Sequence, residues 1–306
     1  GLGLGYGRCS RKYWCTEAPD FIEAAKESGA SAVKIQTYTP DTLTINCKNN
    51  YFKINHGTAW DGEYLYDLYK RAYTPWEWHE EIFNYAASLN LIAFSSPFDD
   101  TAVDFLESLN VPAYKIASFE CIDTQLIKKV ASTGKPMIIS MGMSTFDEIT
   151  QIIEYIKDSG CNNYAILKCT SSYPAAPQES NVSTIADMRE KFDCEVGLSD
   201  HTPGIGVAVA SIVYGASIIE KHFTLDTKME GNDHRVSIMP NDLSKMIKAI
   251  RQVEESLGKT NGRTISQGEM INRENLGKSL VASQKIKAGT ILQKDHISVK
   301  SPGQGL

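Results

Sequence analysis

Glu195-Val-Gly-Leu-Ser-Asp-His-Thr202 and Ser217-Ile-Ile-Glu-Lys-His-Phe-Thr224 are two short apolar runs, each ending on polar groups around a single histidine. Between them, Ile205 to Tyr214 reads as a helix, so the unit is strand, helix, strand. Strands joined in this way are parallel, and their carboxyl ends emerge at one edge of the sheet. His201 and His222 then project from the same edge. A lone strand-end histidine is more often a hydrogen-bonded structural group. Two at corresponding depths make a candidate divalent-metal site, because neutral imidazoles suit borderline ions with open positions for water or substrate.

The same rhythm continues along the chain. Ser31–Thr37, Leu91–Ser95, Ala113–Ser118, Met137–Ser140 and Tyr164–Thr170 read as strands. Ala102–Leu109, Thr145–Ser159 and Ser183–Phe192 read as helices between them. This predicts an α/β fold, a (β/α)8 TIM barrel with one strand still to be found before a helix from Pro19 to Ser28. The glycine-rich Gly1–Gly7 stands in that place, without the preceding strand or the GK[ST] ending of a phosphate loop. The expectation is therefore an irregular or altered amino terminus over 1–18, with the first strand altered or missing.

Polar residues fall late in these apolar runs, where a barrel keeps its reacting groups. They are Lys34 and Gln36, Ser95 and Ser96, Lys115 and Ser118, Ser140, Thr170 to Tyr173, Ser199 to His201 and Glu220 to His222. Lysines inside a barrel carry a desolvation cost of several kcal/mol unless an anion matches them. Lys34 and Lys115 therefore predict a negatively charged ligand; the alternative is a structural pair with a nearby carboxylate such as Glu120. In the loop after the last strand, Glu230-Gly-Asn-Asp-His234, Asp233 is the candidate for binding a hydroxyl or a metal-bound water, with Glu230 and His234 read as solvated.

Composition narrows the class. The 306 residues are 42% hydrophobic, enough for a large core, and the formal net charge of −6 argues against a nucleic-acid or anionic-membrane surface. Seven scattered cysteines without a CxxC pair point to reduced thiols and a cytoplasmic location. The longest nearly apolar stretch, Val207 to Ile219, is too short to span a bilayer, and no secretory segment is recognisable.

Lys34-Ile-Gln, Ser95-Ser-Pro-Phe-Asp99, Tyr114-Lys-Ile-Ala-Ser118, Ser140-Met-Gly-Met143, Cys169-Thr-Ser-Ser-Tyr-Pro174, Ser199-Asp-His-Thr202 and Glu220-Lys-His-Phe-Thr224 together resemble the ordered motifs of the N-acetylneuraminate synthase family. Gln36-Thr-Tyr-Thr-Pro40, Leu65-Tyr-Asp-Leu-Tyr69 and Tyr73-Thr-Pro-Trp-Glu-Trp-His79 resemble its pseudaminic acid branch, whereas Met229–His234 is more similar to its N-acetylneuraminate and legionaminate branches.

The resemblance implies a barrel over 19–258, a linker over 259–276 and the start of a SAF (antifreeze-like) domain over 277–306. It implies condensation of phosphoenolpyruvate with a six-carbon acetamido sugar, usually in a homodimer. His201 and His222 would hold manganese or magnesium. Lys34, Lys115 and Glu220 would be catalytic, with Ser96, Ser118, Ser140 and Ser199 on the phosphate and carboxylate, and Gln36, Tyr173 and Asp233 on the sugar. The family's acidic first-strand motif has no match between Gly1 and Thr16, and the SAF segment ends at Leu306. Both departures leave a second expectation, a catalytically inactive barrel that retains ligand binding.

Overall fold

The structure is a computed structural model describing residues 2–4, 11–55, 61–229, 231, 233–258 and 262–304, with 2–4 and 11–17 described by backbone alone. Strand β1 (Leu2–Leu4) precedes helix α1 (Arg11–Glu27) and strand β2 (Ala32–Thr37). Helices α2 (Pro40–Leu43), α3 (Leu65–Ala72) and α4 (His79–Ser88) lead to β3 (Ile92–Pro97). Strand and helix then alternate through α5 (Asp100–Ser108), β4 (Tyr114–Ile116), α6 (Thr124–Ala131), β5 (Met137–Ser140), α7 (Phe146–Asp158) and β6 (Tyr164–Cys169). The series ends with α8 (Thr184–Phe192), β7 (Glu195–Asp200), α9 (Gly206–Val213), β8 (Ile219–Phe223) and α10 (Pro240–Leu257).

These strands pair in parallel, in order, and β1 pairs with both β2 and β8, so the sheet closes. Within residues 1–18, where the first strand was expected to be altered or missing, a strand of three residues is present, so of the two expectations the missing strand falls. Leu2 and Gly3 lie against Val33 and Lys34 on one side and against Lys221 and His222 on the other. A leucine-glycine tract has little strand preference of its own, and the neighbouring ladders supply it. The first helix likewise starts at Arg11, with Pro19 inside it, rather than at Pro19. Residues 5–10 lie outside the described residues.

The helices cover the barrel with apolar stripes. In α7, Ile149, Ile152, Ile153 and Ile156 are buried at helical spacing, and Thr145 caps the helix by accepting from the Glu148 N–H. Asp99 and Asp123 cap α5 and α6 in the same way. Among the described residues no helix is long and apolar enough to cross a membrane.

One buried polar chain ties α4 to the barrel. His79 Nδ1 donates to Pro75 O at 3.2 Å, so Nε2 accepts from Thr37 Oγ1 at 2.8 Å, and Thr37 meets Ser95 Oγ at 2.6 Å. Burial pulls the His79 imidazole down to about 4. The unfolded chain therefore takes up a proton that the folded chain refuses. Stability should be whole above about pH 6.5 and drain by up to about 3 kcal/mol as pH falls toward 4. Chemical denaturation at pH 7 and pH 4 checks this: His79→Gln should lose less over that interval than the native chain, and an equal loss would exclude His79 as its source.

The chain divides into two compact units, 1–257 and 258–306. In the second, helix α11 (Gln267–Leu276) precedes an antiparallel pair, β9 (Ser279–Ala282) and β10 (Ile297–Lys300). The stretch expected as a linker thus contains a helix, started by a capping box in which Ser266 Oγ accepts from the Glu269 N–H at 3.2 Å and the Glu269 carboxylate accepts from the Ser266 N–H at 3.0 Å.

Candidate active site

Lys34, Lys115 and Glu220 come from β2, β4 and β8, and their charges meet. Glu220 Oε1 lies 3.9 Å from Lys34 Nζ, and its Oε2 lies 4.0 Å from Lys115 Nζ. Lys115 Nζ donates to Ser140 Oγ at 2.7 Å and to Ile116 O at 2.8 Å, while Lys34 Nζ reaches Ser96 Oγ at 3.5 Å. Burial pushes the Lys115 ammonium below its usual range, with Glu220 opposing and Lys34 adding to the fall. Burial would raise Glu220, but Lys115 and Lys34 outweigh it and hold the carboxyl at about 2. Two lysines against one ionised carboxylate leave positive charge over, in a region where an anion offsets it.

The structural partner considered from sequence was Glu120; the carboxylate within reach of both lysines is Glu220. Burial instead raises Glu120 to about 7, against the pull of Lys115, and its Oε2 has no hydrogen-bond partner among the described residues. Sequence reasoning offered Glu120 only as a structural partner of the lysines. Its signal was present, a carboxylate two residues past Ser118 in the loop after β4, but loop direction is not readable from spacing. Glu120 changes charge near neutrality beside Lys115, so sulfate, whose own charge is constant, should bind severalfold tighter at pH 6 than at pH 8. Calorimetry on Glu120→Gln should show that dependence flattened; an unchanged slope would remove Glu120 from the anion's surroundings.

The serines gather at the same mouth. Ser118 Oγ accepts from the Gly142 N–H at 3.2 Å, and a Cβ on Gly142 would stand 2.3 Å from Ser171 Oγ and 2.7 Å from Ser118 Oγ. Only glycine lets the loop after β5 close down on these hydroxyls. Ser96, Ser140 and Ser199 are buried at the ends of β3, β5 and β7.

Both imidazoles meet beside them. The His201 and His222 rings are 5.3 Å apart, and the Tyr173 ring lies 4.4 Å from His201 and 5.9 Å from His222. His201 Nδ1 donates to Thr170 O at 3.1 Å, with Cys169 Sγ at 3.8 Å. Asp233 Oδ2 lies 3.5 Å from His222 Nδ1, and burial pulls the His222 imidazole below its usual range, against the opposing pull of Asp233. Gln36, half-buried, sits two residues beyond Lys34 on β2 and therefore on the same face. Among the described residues no group of three or more histidine, cysteine, aspartate or glutamate side chains is arranged to hold a metal.

The loop that carries Asp233 is anchored. Ser237 Oγ donates to Asp233 O at 2.7 Å, and His234, read as solvated, is instead 2% exposed with Nδ1 2.7 Å from Thr224 Oγ1. Glu230 lies outside the described residues. Sequence reasoning also passed over Asp200 and Lys221, quoted in the motifs but given no role. They form a buried ion pair at 2.8 Å. Their signal was the strand alternation itself, since a charge on the face opposite a site residue must find a partner under the helices.

Against known proteins, the NeuB family model matches residues 21–262 and the SAF domain model matches residues 277–306. The chain is 41% identical to the pseudaminic acid synthase of Campylobacter jejuni over 93% of its own length and 82% of that protein's. It is 41% identical to the pseudaminic acid synthase of Helicobacter pylori over 94% of its length and 84% of that protein's. A solved N-acetylneuraminic acid synthetase from Leptospira borgpetersenii, in complex with citrate, superposes with a TM-score of 0.74 at 26% identity, covering 89% of this chain and 90% of that one. With its motifs gathered at one mouth of the barrel and this match along most of its length, the chain belongs to the NeuB family.

Proposed function

We propose that this chain is a nonulosonic acid synthase built on a (β/α)8 barrel with a short first strand. It would condense phosphoenolpyruvate with a six-carbon acetamido sugar and release phosphate. The observation that carries this reading is the neighbourhood of the two charge centres: Glu220, between the lysines, and His222, beside His201, stand two residues apart on β8 and so face the same way. An anionic donor and a polarised acceptor would be held side by side.

Lys34 and Lys115, with Ser96, Ser118, Ser140 and Ser199, would bind the phosphate and carboxylate of the donor, where fixed positive charge in a dry site counts for more than in water. Gln36, Tyr173 and Asp233 would orient the sugar. The imidazole pair fits a divalent ion. His201 uses Nδ1 on Thr170 O, which frees Nε2; His222 Nδ1 has no hydrogen bond among the described residues and lies 3.5 Å from the Asp233 carboxylate, the kind of group that backs a metal-binding imidazole. Manganese or magnesium held there by His201 and His222 would supply Lewis-acid polarisation of the sugar aldehyde. Fixing donor and acceptor in attack geometry is the protein's other large contribution.

Among acceptor sugars, the 2,4-diacetamido trideoxy hexose of pseudaminic acid synthesis is favoured by the sequence segments around Gln36, Leu65 and Tyr73. Incubation with manganese, phosphoenolpyruvate and each candidate sugar, followed by phosphate release, tests the reading. Release with the diacetamido sugar is expected. Release only with N-acetylmannosamine or the legionaminate precursor would move the chain to another branch, and no release with any sugar would favour the inactive, ligand-binding alternative. The cytoplasmic location and the homodimer belong to the same proposal, and sedimentation of the purified chain tests the dimer.

A further inference from the structure

We propose that the buried Asp200–Lys221 ion pair is a positioning clamp that sets the spacing and aim of His201 and His222; this rests on the reading of those imidazoles as the ion's ligands. Asp200 and Lys221 are register partners on β7 and β8, and each immediately precedes one of the two histidines. Successive strand side chains point to opposite faces, so the pair links the strands from behind the point where the imidazoles leave.

Lys221 Nζ donates to Asp200 Oδ2 at 2.8 Å and to Thr202 O at 2.6 Å. Asp200 Oδ1 in turn accepts from the Thr202 N–H at 2.9 Å and from Thr202 Oγ1 at 2.8 Å. Both chain neighbours of His201 are thus pinned to β8 through one ammonium group. The carbonyl of His201 itself accepts from the Ala175 N–H at 3.0 Å, which holds the segment from the Tyr173 side. Little freedom is left to the backbone that carries this imidazole.

Stability alone is a weak reason for such a pair. Both side chains are 3% exposed or less, and a buried ion pair generally stabilises no better than neutral groups of similar volume. Geometry is the better reason, because two ligands on different strands bind one ion only if their nitrogens stay within a few tenths of an ångström of its bond lengths. Groups that hold metal ligands in place are typically worth about ten- to a hundredfold in metal affinity.

The test is manganese binding to the substrate-free protein, followed by the electron paramagnetic resonance of free and bound ion. In Asp200→Asn/Lys221→Met, which removes both charges together, manganese affinity should fall at least about tenfold, while sulfate affinity at the lysines stays near native. Thr202→Val, close in size and lacking one donor to Asp200, should weaken manganese in the same direction and keeps the test open if the double variant fails to fold. Native manganese affinity in the folded double variant, or in Thr202→Val if only that one folds, would overturn the clamp. Equal loss of manganese and sulfate binding would also overturn it, by showing a general collapse of the mouth. His222→Ala serves as the reference: if it too binds manganese normally, the assignment of the ligands has failed and not only the clamp.

Discussion

Replacing His222 with alanine is expected to lower manganese affinity at least about tenfold and to slow phosphate release about a thousandfold, the equivalent of roughly 4 kcal/mol in the barrier. His222 stands 5.3 Å from His201, ring to ring, and an ion shared between them loses half of its imidazole donors. The fold should survive, because the lysine–glutamate group two residues away and the Asp200–Lys221 pair behind it are untouched. Titration of the folded variant with manganese reads the first effect, and a phosphate assay at saturating substrates reads the second. Because the rate loss is assigned to the ion, raising manganese should recover part of it. Full activity at native manganese levels would remove His222 from the chemistry.

That histidine was legible from its own strand, and the reason is physical. β5 and β6 were read at nearly the residues they occupy, since β-branched apolar runs bounded by glycine, proline and hydroxyl residues have few other ways to bury themselves. Once the strands are placed, their carboxyl ends name the candidate site, which is why Lys34, Lys115, Ser140, His201 and Glu220 could be listed together. What escaped depends on groups far apart in the chain. β1 forms because β2 and β8 offer ladders on either side, and nothing within Leu2–Leu4 reports that. Glu120 sits in a turn and His234 at the start of a short 3-10 helix, both outside the barrel strands, where direction follows from packing: the first is buried within electrostatic reach of Lys115, and the second packs against Phe21 and bonds Thr224. Asp200 and Lys221 were visible as charges in apolar runs, yet only the register of β7 against β8 shows that they are opposite one another.

Replacing Glu220 with glutamine should expose the anion site through stability rather than rate. In the native chain one carboxylate, 14% exposed in its side chain, lies about midway between two ammonium groups that are 6% and 2% exposed. Glutamine keeps the shape and removes the charge, leaving Lys34 and Lys115 buried with like charge, with hydroxyl and carbonyl partners and with Glu120, a carboxyl that titrates near neutrality, as the remaining acidic neighbour of Lys115. Breaking a buried pair in this way costs about 3–5 kcal/mol, enough to lower the melting temperature by roughly 10 °C in a chain of this size. Part of the cost is relieved if Lys115, already pulled down by burial, gives up its proton. The decisive comparison adds phosphate. An anion that binds only the folded state stabilises it by about 2.7 kcal/mol at a hundred times its dissociation constant. In Glu220→Gln that anion also replaces the missing negative charge, so phosphate should raise the melting temperature of the variant more than that of the native chain and close most of the gap between them. A variant that melts low with and without phosphate alike would mean that Glu220 is needed for packing alone. A variant that melts like the native chain without phosphate would mean that the lysines need no counter-charge, and the argument for an anionic substrate at this mouth would lose its physical basis.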